Sequence, residues 1–252
     1  MRTMCFYGEK KLNSIIHFWL HQEPPHSRID LKQSKHLIFD GTYFKKTNCL
    51  ILLIDDADNK IIGSDYIRRE NYYSAFTIFS KLKQQGLNPE SLTTDGNTAV
   101  LRATNTIWPR IITQRCLVHV QRQGLSWLRR KPKLEAAVKL RELLLFLTAI
   151  KSEKDKKEFI RRFNAWEKEF GKQVLALPRH DKVFSDLQAT RSLIIHALPD
   201  MFHYLNDPSI PATTNKLEGI FSQLKQNLNH HKGLRKSNRL KYFKWYIYFK
   251  NE

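Results

Sequence analysis

The order of apolar runs between residues 36 and 116 is the feature that most restricts the fold of this chain. Three runs of strand length come first, and two more then alternate with segments of helical periodicity. The run at 49–55 is apolar almost throughout, which is typical of a strand covered on both faces. We predict strands at 36–43, 49–55, 60–67, 90–94 and 110–115, and helices between Asn71 and Gly86 and over 97–107.

The predicted order is strand-strand-strand-helix-strand-helix-strand. It matches the ribonuclease H-like fold, in which the later strands are parallel and the central strand carries an acidic residue. Residues 117–206 then show helical periodicity throughout and no β pattern. The expected fold class is therefore α/β, with a mixed five-stranded sheet, flanking helices and an all-α insertion. Order alone is not decisive, because other α/β folds share parts of it.

Changes of pattern along the chain predict four segments. The first contains a short helix at 9–20 and a linker, and it could be the remnant of a DNA-binding region. The others are the first part of the core, the helical insertion, and the C-terminal core helices with a basic tail. Their bounds are 1–34, 35–116, 117–206 and 207–252. Within the insertion we predict helices at 117–130, 134–150, 153–170 and 182–198, with Gly171 ending the third.

The charge of the chain points to a polyanionic partner. The formal net charge is +19, which favours long-range attraction to nucleic acid. No window approaches the roughly 18 apolar residues of a membrane span, so we expect no membrane partner. The three cysteines form no visible disulfide framework, which favours a reducing cytoplasm. Together with the basic charge, this leads us to expect a cytoplasmic protein associated with DNA in the nucleoid.

Three acidic residues stand where phosphodiester chemistry needs them. Asp40 and Asp95 each end an apolar run, and Glu218 lies in a helical pattern that Thr214 is predicted to cap. Phosphodiester cleavage is commonly assisted by two Mg²⁺ ions, which prefer oxygen ligands. We predict Asp40 as the bridging ligand and Asp95 and Glu218 as ligands of one ion each. The alternative is structural, since Asp-Gly is also a turn signature and an acid in a first helical turn can serve the helix dipole.

Cys116 and His119 form a second constellation. Their Cys-x2-His spacing is that of half a zinc site, but a structural zinc site normally needs four ligands. The sequence offers no matching second pair close by. The spacing alone therefore leaves the role of these two residues open.

The combined motifs resemble one family. They are Phe-Asp40-Gly-Thr-Tyr, Thr-Asp95-Gly, Cys116-x2-His119, a helical insertion, and Thr-Thr-Asn-Lys-Leu-Glu218-Gly. Together they resemble the DDE transposases of Mutator-like type and their bacterial insertion-sequence relatives, over roughly residues 35–235. The resemblance implies Mg²⁺-dependent cleavage at transposon ends, with Mn²⁺ as a substitute, and attack of the freed 3′-hydroxyl on target DNA. It also implies that Cys116 and His119 lie near the catalytic pocket.

The resemblance also sets expectations about assembly and completeness. Such transposases act on double-stranded DNA as dimers or larger assemblies, since two ends must be brought together. They carry a substantial N-terminal DNA-binding region, whereas only residues 1–34 precede the core here. Two alternatives therefore stay open: an inactive or truncated transposase-derived DNA-binding protein, and a ribonuclease H-like nuclease acting on branched or hybrid substrates.

Basic residues at two places are candidate DNA contacts. Lysine and arginine contacts to phosphates supply salt-dependent affinity that does not depend on sequence. The aromatic residues between the basic residues of the tail, including Phe243 and Trp245, are expected to pack a final helix rather than to stack on bases. The candidate contacts are Arg129, Arg130, Lys131, Lys232, Arg235, Lys236 and Arg239.

Overall fold

A five-stranded mixed sheet forms the centre of the molecule. The computed structural model describes residues 7–25, 29–44, 48–230 and 234–252. The sheet has the strand order β3-β2-β1-β4-β5. Strands β1, β2 and β3 are antiparallel neighbours, whereas β4 is parallel to β1 and β5 is parallel to β4. The strands are β1 (His36–Phe44), β2 (Asn48–Asp55), β3 (Ile61–Ile67), β4 (Ser91–Thr94) and β5 (Ile112–Arg115).

This topology confirms the predicted ribonuclease H-like fold. The later strands are parallel and the central strand β1 carries Asp40, as expected, and the first three strands form an antiparallel meander. Every residue of β2 is buried, which fits its nearly continuous apolar run. The predicted strand bounds agree with the observed bounds to within two residues.

Helices cover both faces of the sheet and form the insertion. None of the helices in the described ranges is long and apolar enough to cross a membrane. The helices are α1 (Glu9–Leu20), α2 (Tyr72–Gln84), α3 (Thr98–Ile107), α4 (Leu117–Leu128), α5 (Glu135–Leu147), α6 (Glu153–Ala176), α7 (Lys182–Ala197), α8 (His203–Asn206), α9 (Asn215–His230) and α10 (Lys236–Asn251).

Strand β1 is packed on both faces because its side chains alternate. Leu37 and Phe39 join the core beneath α2 and α3. Ile38 joins the opposite core, with Leu224 of α9 and Phe243 of α10. Fully burying one such side chain contributes about 1.5–3 kcal/mol. Asp40 lies on the same strand and at the same parity as Ile38, so this packing fixes its position.

The helices between 117 and 206 bury a core of their own. Phe159, Phe163 and Trp166 of α6 pack there with residues of α4, α5 and α7. Our prediction that Gly171 ends α6 is wrong, since the helix continues to Ala176. Gly171 is buried beside the carboxylate of Glu167, which pairs with Arg191 of α7. The glycine leaves room for that carboxylate, and the packing of α6 outweighs its low helix propensity.

The two terminal helices pack against each other. The indole rings of Trp19 and Trp245 meet edge to face with centroids 5.4 Å apart, and Lys244 Nζ lies 2.7 Å from Glu23 Oε2. Phe243 is 1% exposed and its ring contacts Phe44 of β1. These contacts confirm the expectation that Phe243 and Trp245 pack a final helix.

Candidate active site

Asp40 lies on the central strand β1, and Asp95 lies near it, directly after the end of the parallel strand β4. The register pairs Ile38 of β1 with Thr93 of β4, so Asp40 and Asp95, two residues further along, share one face of the sheet. Asp95 follows the last residue of β4, whereas Asp40 lies within β1. The structure thus brings together two of the three predicted acidic residues.

The Asp40 carboxylate is buried and held at both oxygens. Its Oδ1 accepts a hydrogen bond from the Gly41 backbone N–H at 2.8 Å. Its Oδ2 accepts one from the Thr214 hydroxyl at 3.2 Å. Burial raises the pKa of Asp40 to about 6; the charge of His119 acts to lower it, and repulsion by Asp95 raises it further. Thr214, predicted only as a helix cap, therefore links the start of α9 to the central strand.

The loop after Asp95 is fixed by three contacts. Asp95 Oδ1 accepts a hydrogen bond from the Asn97 backbone N–H at 2.8 Å. The backbone oxygen of Asp95 accepts another from Arg115 Nη2 at 3.2 Å. Gly96 has φ +87°, a conformation that favours glycine, and a side-chain carbon there would overlap the Arg115 guanidinium. The positive φ thus favours glycine at position 96, and an added side-chain carbon would also force the Arg115 side chain to move.

One face of α4 docks the N-terminal end of α9. Cys116, His119 and Arg122 recur every three residues and therefore share this face. Cys116 Sγ accepts a hydrogen bond from the Thr214 backbone N–H at 3.3 Å, and His119 Nδ1 lies 3.3 Å from the Thr214 hydroxyl. One turn further, Arg122 reaches Glu218. The Cys-x2-His motif is thus part of a longer contact that positions the helix carrying Glu218.

The surroundings of His119 favour its protonated form. Its pKa is raised to about 9, chiefly by a side-chain hydrogen bond with Cys116, with Asp40 and Asp95 adding attraction. Burial acts to raise the pKa of Cys116, but hydrogen bonds from His119 and Thr214 lower it overall. A doubly protonated His119 ring can donate from Nδ1 to the Thr214 oxygen, which in turn donates to Asp40.

Glu218 is paired with Arg122 rather than with the two aspartates. Arg122 Nη1 donates to Glu218 Oε1 at 2.7 Å, and Nη2 donates to Oε2 at 3.1 Å. His119 Nε2 lies 3.9 Å from Glu218 Oε1. Glu218 therefore lies next to His119, and both of its oxygens bind Arg122. Arg122 escaped sequence reasoning because one arginine on a helix of a basic chain carries no distinctive signal.

Glu70 is a further carboxylate of this pocket that sequence reasoning missed. It follows the end of β3, and its Oε1 accepts a hydrogen bond from Asn97 Nδ2 at 2.7 Å. Burial raises the pKa of Glu70 to about 7, and repulsion by Asp95 and Asp40 adds to the rise, against the Asn97 bond. In the sequence Glu70 sits in Arg-Arg-Glu-Asn, which is indistinguishable from a solvated charged turn.

The chemistry of these carboxylates fits a divalent cation in part. Asp40 and Asp95 supply the oxygen ligands that Mg²⁺ prefers, and their mutual repulsion is what a cation would relieve. Each Glu218 oxygen accepts one hydrogen bond from Arg122 and keeps a further acceptor site for a cation. Across the described ranges, no three His, Cys, Asp or Glu residues are grouped closely enough to hold a metal ion.

The candidate DNA contacts lie mainly at the surface. Arg129, Arg130 and Lys131 are exposed after the end of α4, and Arg235 is exposed before α10. Arg239 is half-buried in α10, with its Nε enclosed. Lys232 lies outside the described residues, as does the side chain of Lys236.

The fold and the pocket define a ribonuclease H-like protein with carboxylates at the centre of its sheet. The model of the family described as "Transposase, Mutator family" matches residues 49–225. This match covers well over half of the chain, which therefore belongs to the Mutator family of transposases. The matched residues include Glu70, Asp95, Arg122 and Glu218, whereas Asp40 lies before the first of them.

Two further comparisons add little. No curated protein matches the chain. A solved structure that does match is the simian T-cell lymphotropic virus intasome in complex with the PP2A regulatory subunit B56 gamma. The identity is 18%, over 50% of this chain and 52% of that chain, with a TM-score of 0.28. The match thus spans about half of that chain, and at this score it carries no structural argument.

Proposed function

We propose that this chain is a DDE transposase that cleaves DNA at transposon ends and transfers the freed strand to target DNA. Asp40, Asp95 and Glu218 would hold two Mg²⁺ ions, for which Mn²⁺ would substitute. The observation that carries the proposal is the placement of Asp40 on β1 near Asp95, which directly follows the parallel strand β4, with the helix of Glu218 tied to Asp40 through Thr214. Membership of the Mutator family supports the same activity.

The charges of the pocket support cation binding. Among the described residues, Asp40, Asp95 and Glu70 form no ion pair with a lysine, arginine or histidine, although the chain has 43 lysine and arginine residues against 24 acids. Several carboxylates elsewhere in the chain do form ion pairs, such as Glu158 with Arg161 and Glu167 with Arg191. These three carboxylates are thus free of direct ion pairs in a strongly basic molecule, although the charges of His119 and Arg115 act on Asp40 and Asp95 from nearby.

The proposed reaction has two steps of the same kind. In cleavage, a water oxygen attacks the phosphorus at the transposon end, the P–O3′ bond breaks, and a 3′-hydroxyl and a 5′-phosphate result. In transfer, the 3′-oxygen attacks a target phosphodiester and displaces another 3′-oxygen. Bound cations would activate the attacking oxygen and stabilise charge on the leaving oxygen. Thr214 and Gly41 orient Asp40, Arg115 and Asn97 fix the Asp95 loop, and Arg122 holds Glu218.

DNA binding and assembly complete the proposal. The exposed Arg129, Arg130, Lys131 and Arg235 would contact phosphates and supply salt-dependent affinity, together with Lys232, Lys236 and Arg239. Two transposon ends must be brought together, so we propose a homo-oligomer on double-stranded DNA.

A strand-transfer assay separates the proposal from its rivals. Purified protein is incubated with Mg²⁺ or Mn²⁺, a supercoiled plasmid and a labelled duplex that carries the DNA flanking the gene and ends in a 3′-hydroxyl. A transposase joins the label to the plasmid. Cleavage of branched or hybrid substrates without joining would identify a nuclease instead. Binding to the duplex with neither reaction would identify an inactive, transposase-derived DNA-binding protein.

A further inference from the structure

Glu70 occupies the space left by a missing side chain. Gly41 follows Asp40 on the central strand, and a side-chain carbon at position 41 would overlap Glu70 Oε2. The Glu70 carboxylate therefore rests against the backbone of β1 at Gly41, on the sheet face opposite to the Asp40 side chain. It reaches this place from the connection between β3 and α2, an element that provides none of the predicted acids.

Asn97 connects Glu70 to the Asp95 loop. Its backbone N–H donates to Asp95 Oδ1 at 2.8 Å, while its side-chain Nδ2 donates to Glu70 Oε1 at 2.7 Å. Its Oδ1 in turn accepts from the Ala99 backbone N–H at 3.0 Å and so caps α3. One residue thus fixes the spacing between the Glu70 and Asp95 carboxylates.

The placement of Glu70 is unfavourable for folding alone. When ionised, it adds a third negative charge near Asp95 and Asp40, and no basic residue in the described part of the chain forms an ion pair with it. A half-buried carboxylate among like charges destabilises a protein unless something compensates the charge. A cation bound between Asp40 and Asp95 would provide that compensation.

We infer that Glu70 is a positioning residue of the candidate cation site, where its charge strengthens cation binding by Asp40 and Asp95 from outside the ligand set. This inference rests on the proposed function. Glu70 acts through the field of its charge and through Asn97, in the way that outer partners of ligating residues tune a metal site.

Cation affinity tests this inference without any measurement of catalysis. Mn²⁺ binding to the full chain without DNA is measured by titration calorimetry or by electron paramagnetic resonance. Glu70→Gln keeps an oxygen that can accept from Asn97 and removes only the charge. We expect Glu70→Gln to weaken Mn²⁺ binding by about tenfold, as is typical for loss of an outer partner. Glu70→Asp keeps the charge and should therefore retain more of the Mn²⁺ affinity than Glu70→Gln does.

Two further variants separate failure of this inference from failure of the proposed function. Asp95→Asn removes a proposed ligand, and Glu142→Gln removes an exposed carboxylate of α5 as a matched control. Unchanged affinity in Glu70→Gln, with a loss in Asp95→Asn, would overturn the role of Glu70 alone. Unchanged affinity in both variants, or no Mn²⁺ binding by the wild-type chain at millimolar concentration, would overturn the cation site itself. An equal loss of Mn²⁺ affinity in Glu142→Gln would also contradict a specific role for Glu70.

Discussion

Arg122 binds both carboxylate oxygens of Glu218, at 2.7 and 3.1 Å. The pair joins the first helix of the insertion to the helix that carries the third predicted acid. It also continues the contacts that Cys116 and His119 make with Thr214 on the same face of α4. The helical insertion therefore contributes directly to the pocket and does more than interrupt the core.

Replacement of Arg122 tests whether this pair positions Glu218. We expect Arg122→Gln to reduce the single-turnover rate of DNA cleavage by about tenfold, in the range typical for partners of metal ligands. Arg122→Lys should restore part of the rate, since it keeps the charge but not the two-pronged geometry. The melting temperature should change little, because an exposed ion pair contributes only about 0–1 kcal/mol.

Arg161 provides a matched control for Arg122. It forms a similar two-bond pair with Glu158 on the exposed face of α6, at 2.9 and 2.8 Å. Arg161→Gln should leave the cleavage rate unchanged. Equal rates for Arg122→Gln and the wild-type chain would show that Glu218 does not depend on Arg122.

The pH dependence of stability tests the environment of Asp40. Its folded-state pKa, about 6, lies above the ordinary aspartate value of 3.8, so the folded state binds the proton more tightly than the unfolded state does. This group's contribution to stability is therefore greatest at low pH and falls as pH rises from about 4 to 6. Asp40→Asn removes that loss, and the Thr214 hydroxyl can turn to accept from the new amide.

We expect Asp40→Asn to exceed the wild-type chain in stability by on the order of 2 kcal/mol at pH 8, with the difference shrinking below pH 6. Denaturant unfolding of both proteins at a series of pH values, with a chelator present, measures this difference in stability. A variant less stable than wild type at pH 8, or a difference independent of pH, would contradict the raised pKa of Asp40.

Replacement by alanine should have opposite effects on stability at two glycines that follow predicted acidic residues. Gly96 has φ +87° and lies against the Arg115 guanidinium, so Gly96→Ala should destabilise the fold by about 1–3 kcal/mol and reduce cleavage. Gly219 lies in α9 with no atom within 4 Å of an added carbon. Gly219→Ala should raise stability by up to about 1 kcal/mol. Thermal unfolding of both variants measures the changes in stability. Equal changes in the two variants would contradict the special environment of Gly96.

The salt dependence of DNA binding tests the basic surface after α4. Each lost phosphate contact lowers the slope of log affinity against log salt concentration by about 1. The double variant Arg130→Gln, Lys131→Gln should therefore flatten the slope by about 2. Lys154→Gln, at an exposed position of α6, is the control and should leave it unchanged. A double variant with the wild-type slope would place the phosphate contacts elsewhere on the surface.

The positions of Asp40 and Asp95 could be predicted because each ends an apolar run, and strand pairing then brings them together. The order of strands and helices along the chain could also be predicted, because the apolar runs mark each strand. Glu70 and Arg122 could not, because charged residues in turns and on helix faces look alike in a chain this basic. Their roles appear only when Gly41 leaves space beside Glu70 and when α4 docks on α9. The prediction that a helix ends at Gly171 is wrong because α6 is extended beyond it by buried packing, which the sequence does not reveal.

Cleavage of DNA by purified protein in the presence of Mg²⁺ tests the central claim most directly. The substrate is a duplex that spans the junction between the element and its flanking DNA, and the wild-type chain is compared with Asp40→Ala and Asp95→Ala. We predict a new 3′-hydroxyl at the element end with the wild-type chain and none with either variant, although both variants should still bind the duplex. Cleavage by either variant at the wild-type rate would contradict the assignment of these two carboxylates to catalysis.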